Sequence, residues 1–182
     1  MILSITGFMG CGKSRVGEKL SGLLSCPVID LDRYIETKEG RTIPEIFAAS
    51  GEKTFRLMEK EALGEILSKA GQDTVIISLG GGTVTTPECA EAIRENTLCI
   101  YLRATVDTLV GNLQEDCEGR PMLARNGDSG SGKARLRARI EELMNLRSGI
   151  YESCASMIYD IDGKSYDVAA SEIAAAVENC VR

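Results

Sequence analysis

The sequence predicts an α/β fold, in which helices cover a parallel sheet to give a three-layer α/β/α arrangement. The first observation is that short apolar runs alternate with longer segments of helical period. The second is that these runs are apolar throughout, which is typical of strands buried on both faces. The third is the length of 182 residues, which suits one compact domain over residues 1–182.

Five apolar runs are the candidate strands, so we expect a five-stranded parallel sheet. The runs are Ile2–Ile5, Val28–Leu31, Val75–Leu79, Leu98–Leu102 and, more weakly, Met157–Ile161. Between them, apolar residues recur at helical spacing. These stripes lie within Val16–Leu24, Phe55–Ala70 and Leu136–Met144, and a terminal helix is expected over Val168–Val181.

Two stretches interrupt the simple alternation of strands and helices. Between the second and third runs, two or three helical patterns are too long for a single crossover, so this insertion is expected to form a small subdomain. Residues 115–133 are polar and rich in Gly and Ser, and they carry Arg120 and Arg125. This second stretch is either a solvated loop or a mobile lid, and the sequence alone favours neither.

Composition and charge exclude several classes of protein. A net charge of −6 and a pI near 4.9 argue against a nucleic-acid partner, which usually meets a basic face. No apolar stretch approaches the roughly 18–20 residues of a membrane span, and the first residues lack the basic region of a signal peptide. We therefore expect a cytoplasmic protein that acts without a membrane.

Cysteine and histidine usage narrows the chemistry. The seven cysteines are scattered and include no C-x-x-C pair, so neither a zinc site nor a disulfide framework is indicated, and reduced thiols are expected. The chain has no histidine, which excludes Ser-His and Cys-His nucleophiles and metals held by histidine.

The segment Gly7–Ser14 carries the clearest chemical signal. It matches the phosphate-binding loop G-x-x-x-x-G-K-[ST] without a mismatch, follows a predicted strand and opens a predicted helix. Its glycines let backbone N–H groups point at phosphate oxygens, Lys13 supplies a positive charge, and Ser14 offers a hydroxyl to Mg²⁺. The sequence therefore predicts a P-loop NTPase fold.

A phosphate loop leaves the acceptor of the phosphoryl group open, and three classes compete. A regulatory GTPase should carry an N-K-x-D signature, which is missing, and a D-x-x-G element at Asp160–Gly163 lies too near the end of the chain to serve it. An ATPase module is normally larger or joined to other domains. A compact chain with an insertion and arginines in a lid best fits a small-molecule or nucleotide kinase.

Asp30 and Asp32 follow the second candidate strand. The carboxyl ends of parallel strands face the ligand crevice, and the strand period of two would put both side chains on one side. One carboxylate could then hold water bound to the metal while the other accepts a hydrogen bond from the attacking hydroxyl. The alternative is a structural role, with Asp32 as the N-cap of a helix that begins at Arg33.

Further candidates lie later in the chain. Arg56 and Glu59 share a helix face, and their simplest interpretation is a surface ion pair worth a few tenths of a kcal/mol. Gly80–Gly82 directly follow the third strand, where glycines let a ligand approach the backbone closely. Arg147 lies in a helical pattern, where exposure to solvent is the default expectation.

Taken together, these motifs resemble those of shikimate kinases over almost the whole chain, in matching order and spacing. The matching segments are Gly7–Ser14, Asp30-x-Asp32, Gly40–Phe47, Gly51–Glu59, Gly80–Gly82, Arg120–Leu123 and Arg147–Tyr151. The resemblance implies a fold like that of nucleoside monophosphate kinases. It also implies a core, a substrate-binding subdomain at about 33–60 and a lid at about 113–125.

For the substrate, the resemblance implies a ring acid held by two arginines. Arg56 and Arg147 would grip the shikimate carboxylate, since guanidinium and carboxylate pair in a bidentate manner. Asp32 would orient or deprotonate the attacked hydroxyl. The remaining substrate residues implied are Gly80, Gly81, Gly82, Phe47, Phe55 and Glu59.

For the nucleotide, the resemblance implies ATP and Mg²⁺ as cofactors. Ser14 and Asp30 would serve the metal, and Lys13 and the lid residue Arg120 would act on the transferred phosphoryl group. The remaining nucleotide-binding positions implied are Gly10, Cys11, Gly12, Arg15 and Lys164. Asn112 stands where an arginine that stacks on adenine often occurs.

The activity implied is ATP-dependent phosphorylation of the 3-hydroxyl of shikimate, a step of aromatic amino acid biosynthesis, by an enzyme expected to be a monomer. The alternatives are a gluconate or nucleoside monophosphate kinase on the same scaffold, and a nucleotide-binding regulatory module or inactive relative. Intact Lys13, Ser14, Asp32 and Arg120 speak against the last of these.

Overall fold

The structure is a computed structural model that describes residues 1–71, 73–114 and 132–181. A sheet of five parallel strands in the order β2-β3-β1-β4-β5 forms its centre. The strands are β1 (Ile2–Thr6), β2 (Val28–Asp30), β3 (Val75–Ser78), β4 (Leu98–Arg103) and β5 (Met157–Asp160). The predicted α/β fold with a five-stranded parallel sheet is therefore confirmed.

In the described residues, seven α-helices accompany the sheet. They are α1 (Lys13–Leu24), α2 (Leu31–Glu39), α3 (Ile43–Lys69), α4 (Pro87–Asn96), α5 (Val106–Leu113), α6 (Gly132–Cys154) and α7 (Tyr166–Val181). Helix α1 packs against α7, whereas α4 contacts both α3 and α6. The crossover between β2 and β3 contains α2 and α3, which is the two-helix insertion that the sequence predicts.

Burial along the strands follows their position in the sheet. Strand β3 is buried at every residue and β1 at every residue but the first, because both are interior strands. The expectation of burial on both faces is wrong for β2, which is half-buried, and for β5, which alternates between half-buried and exposed residues. Both are edge strands, so helices cover them less completely.

The boundary between β2 and α2 also differs from the prediction. Leu31 begins helix α2 rather than ending the strand, and Asp30 is the N-cap, with its side chain accepting a hydrogen bond from the backbone N–H of Arg33. The interpretation of Asp32 as the N-cap is therefore wrong. A short edge strand leaves room for the helix to start two residues earlier, and Asp32 lies in its first turn.

Helix α3 begins with a capping box and contains a sharp break. Thr42 and Glu45 exchange hydrogen bonds between side chain and backbone at its start. At Gly51 the backbone adopts φ 75° and ψ 173°, a region open to glycine alone, and the helix changes direction there. The break separates the segment that carries Phe47 from the one that carries Phe55 and Arg56.

None of the helices in the described residues combines the length and the apolar character that crossing a bilayer requires.

Candidate active site

A cavity of about 670 Å³ lies at the carboxyl edge of the sheet. Because parallel strands end at the same edge, the loops that follow β1, β2 and β3 all reach it. The residues expected in the site that line this cavity are Gly10, Gly12, Lys13, Ser14, Arg15, Asp30, Asp32, Phe47, Phe55, Arg56, Glu59, Gly80, Gly81, Gly82 and Arg147. The structure thus brings residues from widely separated parts of the sequence into one pocket.

The segment Gly7–Ser14 joins β1 to α1 as a tight loop. Gly12 is left-handed at φ 92° and caps α1, which starts at Lys13. The ammonium of Lys13 folds back and donates to the carbonyl oxygens of Gly7 at 2.9 Å and Phe8 at 3.1 Å. The first turn of α1 therefore presents its backbone N–H groups to the cavity beside a buried positive charge, an arrangement suited to phosphate.

Ser14 and Asp30 form a pair of oxygen ligands beside this loop. The hydroxyl of Ser14 donates to Asp30 Oδ2 at 2.5 Å, and Ser78 at the end of β3 lies 3.4 Å from the same hydroxyl. The described residues contain no cluster of three or more Cys, Asp or Glu side chains that would hold a metal ion by themselves. A hydroxyl and one carboxylate fit Mg²⁺, which keeps several waters and binds phosphates as its other ligands.

Asp32 lies half-buried opposite the triple glycine. A Cβ added to Gly80 would lie 2.9 Å from Asp32 Oδ1 and 2.7 Å from Glu59 Oε1, so the two carboxylates approach the same backbone position. Burial, followed by the charges of Glu59 and Asp30, raises the pKa of Asp32 to about 6, against the opposing charge of Lys13. A carboxylate with a pKa near neutrality can exchange a proton with a bound hydroxyl.

Asp30 and Asp32 do reach the same cavity, but the expected reason is wrong. The period of a strand does not relate them, because Asp30 ends β2 whereas Asp32 belongs to α2. Asp30 also combines two roles that the sequence offers as alternatives, since its carboxylate both caps α2 and contacts Ser14.

Arg56 and Glu59 form a buried ion pair rather than a surface pair. Glu59 is fully buried and accepts hydrogen bonds from Arg56 Nη1 and, at 2.7 Å, from the Thr83 hydroxyl. Arg56 also donates to Glu52 at 3.0 Å. The expectation of a surface pair is wrong because α3 turns this face toward the triple glycine, where a Cβ on Gly82 would overlap the Arg56 guanidinium.

Arg147 is also buried, at 6% exposure, contrary to the default expectation for an arginine in a helix. Its Nη1 lies 3.4 Å from the carbonyl oxygen of Gly81. One helical turn later, the hydroxyl of Tyr151 donates to the same oxygen at 2.5 Å. Arg147 and Arg56 thus enter the cavity from α6 and α3, on either side of the triple glycine.

Two phenylalanines form an apolar wall of the cavity. The rings of Phe47 and Phe55 lie 4.9 Å apart between centroids, and Ile43 and Pro44 continue the same surface. A wall of this kind suits the carbon skeleton of a small ring, and the polar groups opposite it suit hydroxyl and carboxylate groups.

Two predicted nucleotide residues, Cys11 and Lys164, lie apart from this arrangement. The side chain of Cys11 is buried outside the residues that line the cavity, and its backbone N–H donates to Phe8 O. Lys164 lies outside the lining and pairs with Glu172 at 2.7 Å. Arg120 and most of the predicted lid fall outside the described residues.

Other residues of the cavity were not assigned from the sequence. Met9, Glu36, Ile43, Pro44, Leu79 and Tyr166 line it, as does Asn112, whose amide donates to the carbonyl oxygen of Gly10 at 2.8 Å. Three further residues do not line the cavity but hydrogen-bond to residues that do: Ser78 to Ser14, Thr83 to Glu59 and Tyr151 to Gly81. The sequence signal that could have found Ser78 and Thr83 is their position next to the triple glycine. For Tyr151, the signal is its spacing of four residues from Arg147.

Comparisons with known proteins identify the family of this chain. A family model described as shikimate kinase matches residues 9–178. The chain belongs to the shikimate kinase family. Among relatives, it is 37% identical over 176 residues to a shikimate kinase of Dictyoglomus turgidum, with 94% of each chain covered. It is 33% identical over 181 residues to one of Chlorobaculum tepidum, with 100% of this chain and 92% of the relative covered.

Solved structures show the same similarity. The shikimate kinase of Acinetobacter baumannii, in complex with shikimate, superposes with a TM-score of 0.88 at 26% identity, covering 98% of this chain and 93% of that one. The shikimate kinase of Aquifex aeolicus gives a TM-score of 0.77 at 28% identity, covering 100% of this chain and 98% of that one. The predictions of the P-loop fold and of a shikimate kinase are confirmed.

Proposed function

We propose that this chain transfers the terminal phosphoryl group of ATP to the 3-hydroxyl of shikimate, giving shikimate 3-phosphate and ADP. The observation that carries the proposal is that Arg56 and Arg147 share one cavity with Asp32 and the phosphate loop. Two guanidinium groups suit a carboxylate, a buried aspartate suits a hydroxyl, and the loop suits the phosphates of the donor.

In this proposal, the acid binds between α3 and α6. Its carboxylate pairs with Arg56 and Arg147, and its ring packs against Phe47 and Phe55. The buried position of Arg147 supports this assignment, because its guanidinium lines the cavity and the long 3.4 Å contact to the Gly81 carbonyl compensates a buried charge poorly. Glu59 holds Arg56 in place rather than contacting the acid, and Gly80, Gly81 and Gly82 let the ring approach the backbone.

Asp32 accepts the hydrogen bond of the attacking hydroxyl and takes its proton as the phosphoryl group is transferred. Its raised pKa, about 6, supports this role, because a carboxylate with an ordinary pKa is a weaker base. Phosphoryl transfer depends mainly on positioning and charge stabilisation, so the contribution of Asp32 is to orient the hydroxyl as well as to accept its proton.

On the donor side, the phosphates bind to the backbone N–H groups of Gly10 and Gly12–Ser14, and Lys13 exchanges its two carbonyl partners for phosphate oxygens. Ser14 and Asp30 would hold Mg²⁺, Ser14 directly and Asp30 through water. When bound, the metal neutralises charge on the phosphates. Asn112 keeps the loop in register through the Gly10 carbonyl, and Arg15 lines the nucleotide end of the cavity.

Several earlier expectations remain predictions. These are the lid at about 113–125 with Arg120 acting on the phosphoryl group, the subdomain at about 33–60, a base contact by Lys164, a monomeric state and a cytoplasmic location. Helix α2 and the first half of α3 support the second of these, since they form the insertion that carries Phe47 and Phe55.

A panel of acceptors tests the proposal. The purified chain is mixed with ATP or GTP, Mg²⁺ and shikimate, gluconate or a nucleoside monophosphate, and ADP or GDP release is measured. We expect release above the no-acceptor background with shikimate and ATP. Turnover with gluconate or a nucleoside monophosphate in place of shikimate would contradict the substrate assignment, and background rates with every acceptor would support an inactive, nucleotide-binding relative.

The substitution Arg56→Ala tests the carboxylate assignment. We expect a loss of about 2–5 kcal/mol in kcat/KM for shikimate, because a charge-assisted contact to the acid disappears. Arg41→Ala is the matched control, since Arg41 is an exposed arginine with only a 3.5 Å contact to Glu39. If Arg56→Ala phosphorylates shikimate as efficiently as the parent, the acid does not bind this arginine.

The substitution Ser14→Ala tests the metal assignment. Removing the hydroxyl should raise the Mg²⁺ concentration needed for half-maximal activity by about 10–100-fold. Direct Mg²⁺ titration in the presence of a non-hydrolysable ATP analogue should show the same weakening. Ser68→Ala, at an exposed serine of α3, should behave like the parent. An unchanged Mg²⁺ requirement in Ser14→Ala would remove this serine from the metal site.

A further inference from the structure

The carbonyl oxygen of Gly81 is held by two donors that come from a single helix. Tyr151 donates to it at 2.5 Å and Arg147 Nη1 at 3.4 Å. The two side chains are four residues apart on α6 and therefore share a face. In the described residues these are its hydrogen-bond donors, and the tyrosine makes the shorter contact.

Tyr151 is fixed so that its hydroxyl has little freedom. The side chain is fully buried, and its ring packs on Tyr101 of β4 with centroids 5.2 Å apart. Burial is the main cause that raises the pKa of Tyr151, so the hydroxyl keeps its proton at neutral pH and remains a donor. A buried, rigid donor directed at one backbone carbonyl fixes the orientation of that peptide unit.

That peptide unit faces the proposed acid site. A peptide bond is planar, so holding the Gly81 carbonyl also fixes the direction of the N–H of Gly82 on the opposite side. Gly82 packs against the Arg56 guanidinium so closely that a Cβ would overlap it. Within the described residues, neither the Gly81 nor the Gly82 N–H donates to another protein group, so both remain available to a ligand.

We propose that Tyr151 is a positioning residue for the acid substrate. By donating at short distance to the Gly81 carbonyl, its hydroxyl fixes the Gly81–Gly82 peptide, so that Arg147, which makes the longer contact to that carbonyl, can direct its guanidinium to the carboxylate. Without the hydroxyl, a buried acceptor would retain only the long contact from Arg147, and an unsatisfied buried carbonyl is costly. Arg147 is then drawn to the backbone and away from the acid. This inference rests on the proposed function.

The test is Tyr151→Phe, which keeps the ring and removes the hydroxyl. We expect the KM for shikimate to rise by about 5–10-fold, the fold-change that corresponds to one lost hydrogen bond. The KM for ATP and kcat should change far less, since the hydroxyl of Tyr151 donates to Gly81 rather than to the phosphate loop. Calorimetry with shikimate alone should show the same weakening of its Kd. Tyr101→Phe is the matched control, because it alters the other ring of the same stack.

A double-mutant cycle separates positioning from packing. If Tyr151 acts by sparing Arg147, then Tyr151→Phe should raise the KM for shikimate by less than about twofold in an Arg147→Lys background. Additive effects would overturn the proposal. So would an unchanged KM in Tyr151→Phe, an equal rise for both substrates, or an equal rise in Tyr101→Phe. Loss of a cooperative thermal transition in Tyr151→Phe would also overturn it, because the hydroxyl would then be required for folding rather than for positioning the substrate.

The outcome is distinct from that of the proposed function. A parent chain that does not phosphorylate shikimate removes the proposed function itself. A parent that does so, with a Tyr151→Phe variant that binds shikimate equally well, removes only the role of Tyr151.

Discussion

Replacing Asp32 with asparagine tests whether the ionised carboxylate lowers the folding stability of the chain while supporting phosphoryl transfer. Burial and the neighbouring charges of Glu59, Asp30 and Glu36 raise the pKa of Asp32 from 3.8 to about 6, while Lys13 lowers it. Since one pKa unit corresponds to about 1.4 kcal/mol, the ionised carboxylate destabilises the folded chain by at most about 3 kcal/mol. Asp32 is only half-buried, and screening by water in the open cavity reduces the expected value to about 1–2 kcal/mol.

The sign follows from where the proton binds more tightly. The folded chain holds the Asp32 proton better than the unfolded chain does, so folding stability falls as pH rises from about 4 to about 6 and stays lower above that range. Asparagine carries no charge, so the variant does not lose folding stability through this ionisation. We therefore expect Asp32→Asn to be more stable than the parent by about 1–2 kcal/mol at pH 8, and to melt about 2–8 °C higher.

Urea denaturation at pH 8 and pH 4.5, without nucleotide and with EDTA, measures this difference. The gain should be present at pH 8 and small at pH 4.5, whereas Asp73→Asn, at an exposed carboxylate, should show no gain at either pH. The same Asp32 variant should lose about 10²–10⁴-fold in kcat with shikimate. The electrostatic reasoning is refuted if Asp32→Asn gains nothing at pH 8, or gains equally at both pH values.

Two further substitutions probe the neighbouring contacts. Gly82→Ala should raise the KM for shikimate by about tenfold, because the added Cβ would displace the Arg56 guanidinium. Gly64→Ala is the control, since its Cβ would meet nothing within 4 Å and should leave the kinetics unchanged. Similar KM values for the two variants would refute the reasoning. Glu59→Gln should destabilise the chain by about 1.5–3 kcal/mol in urea, because Arg56 and Thr83 both donate to this buried carboxylate. A midpoint equal to the parent's would show that neither bond contributes to folding.

The parts of the site that the sequence predicts are those in which neighbours in sequence are neighbours in space. The phosphate loop Gly7–Ser14 is contiguous, so its glycines, Lys13 and the start of α1 specify their own geometry. The capping box at Thr42 and Glu45 is local in the same way. The order of strands and helices follows from hydrophobic period alone, which is also local.

Glu59 and Arg147 are assigned to the site from the sequence, but the sequence does not predict their burial, which depends on contacts across the chain. Glu59 and Arg147 are charged residues on helices, for which exposure is the usual expectation, and only the packing of α3 and α6 around the triple glycine buries them. The bond from Tyr151 to Gly81 spans 70 residues, and the sequence of neither segment predicts that the two meet. The end of β2 was misplaced because Leu31 is apolar and extends the run, although it begins a helix.

The break at Gly51 has a consequence for how the aromatic wall can vary. In a straight α-helix, residues eight apart are separated by about 12 Å along the axis, too far for two rings to touch. Phe47 and Phe55 are eight apart, yet their centroids lie 4.9 Å from one another, because the helix turns between them. A single backbone conformation therefore sets the width of the slot that receives a ring. A side chain at position 51 would meet no neighbouring atom, but it would disfavour this backbone conformation and so move the two phenylalanines apart. A substitution there would therefore alter acceptor preference although residue 51 does not contact the acceptor.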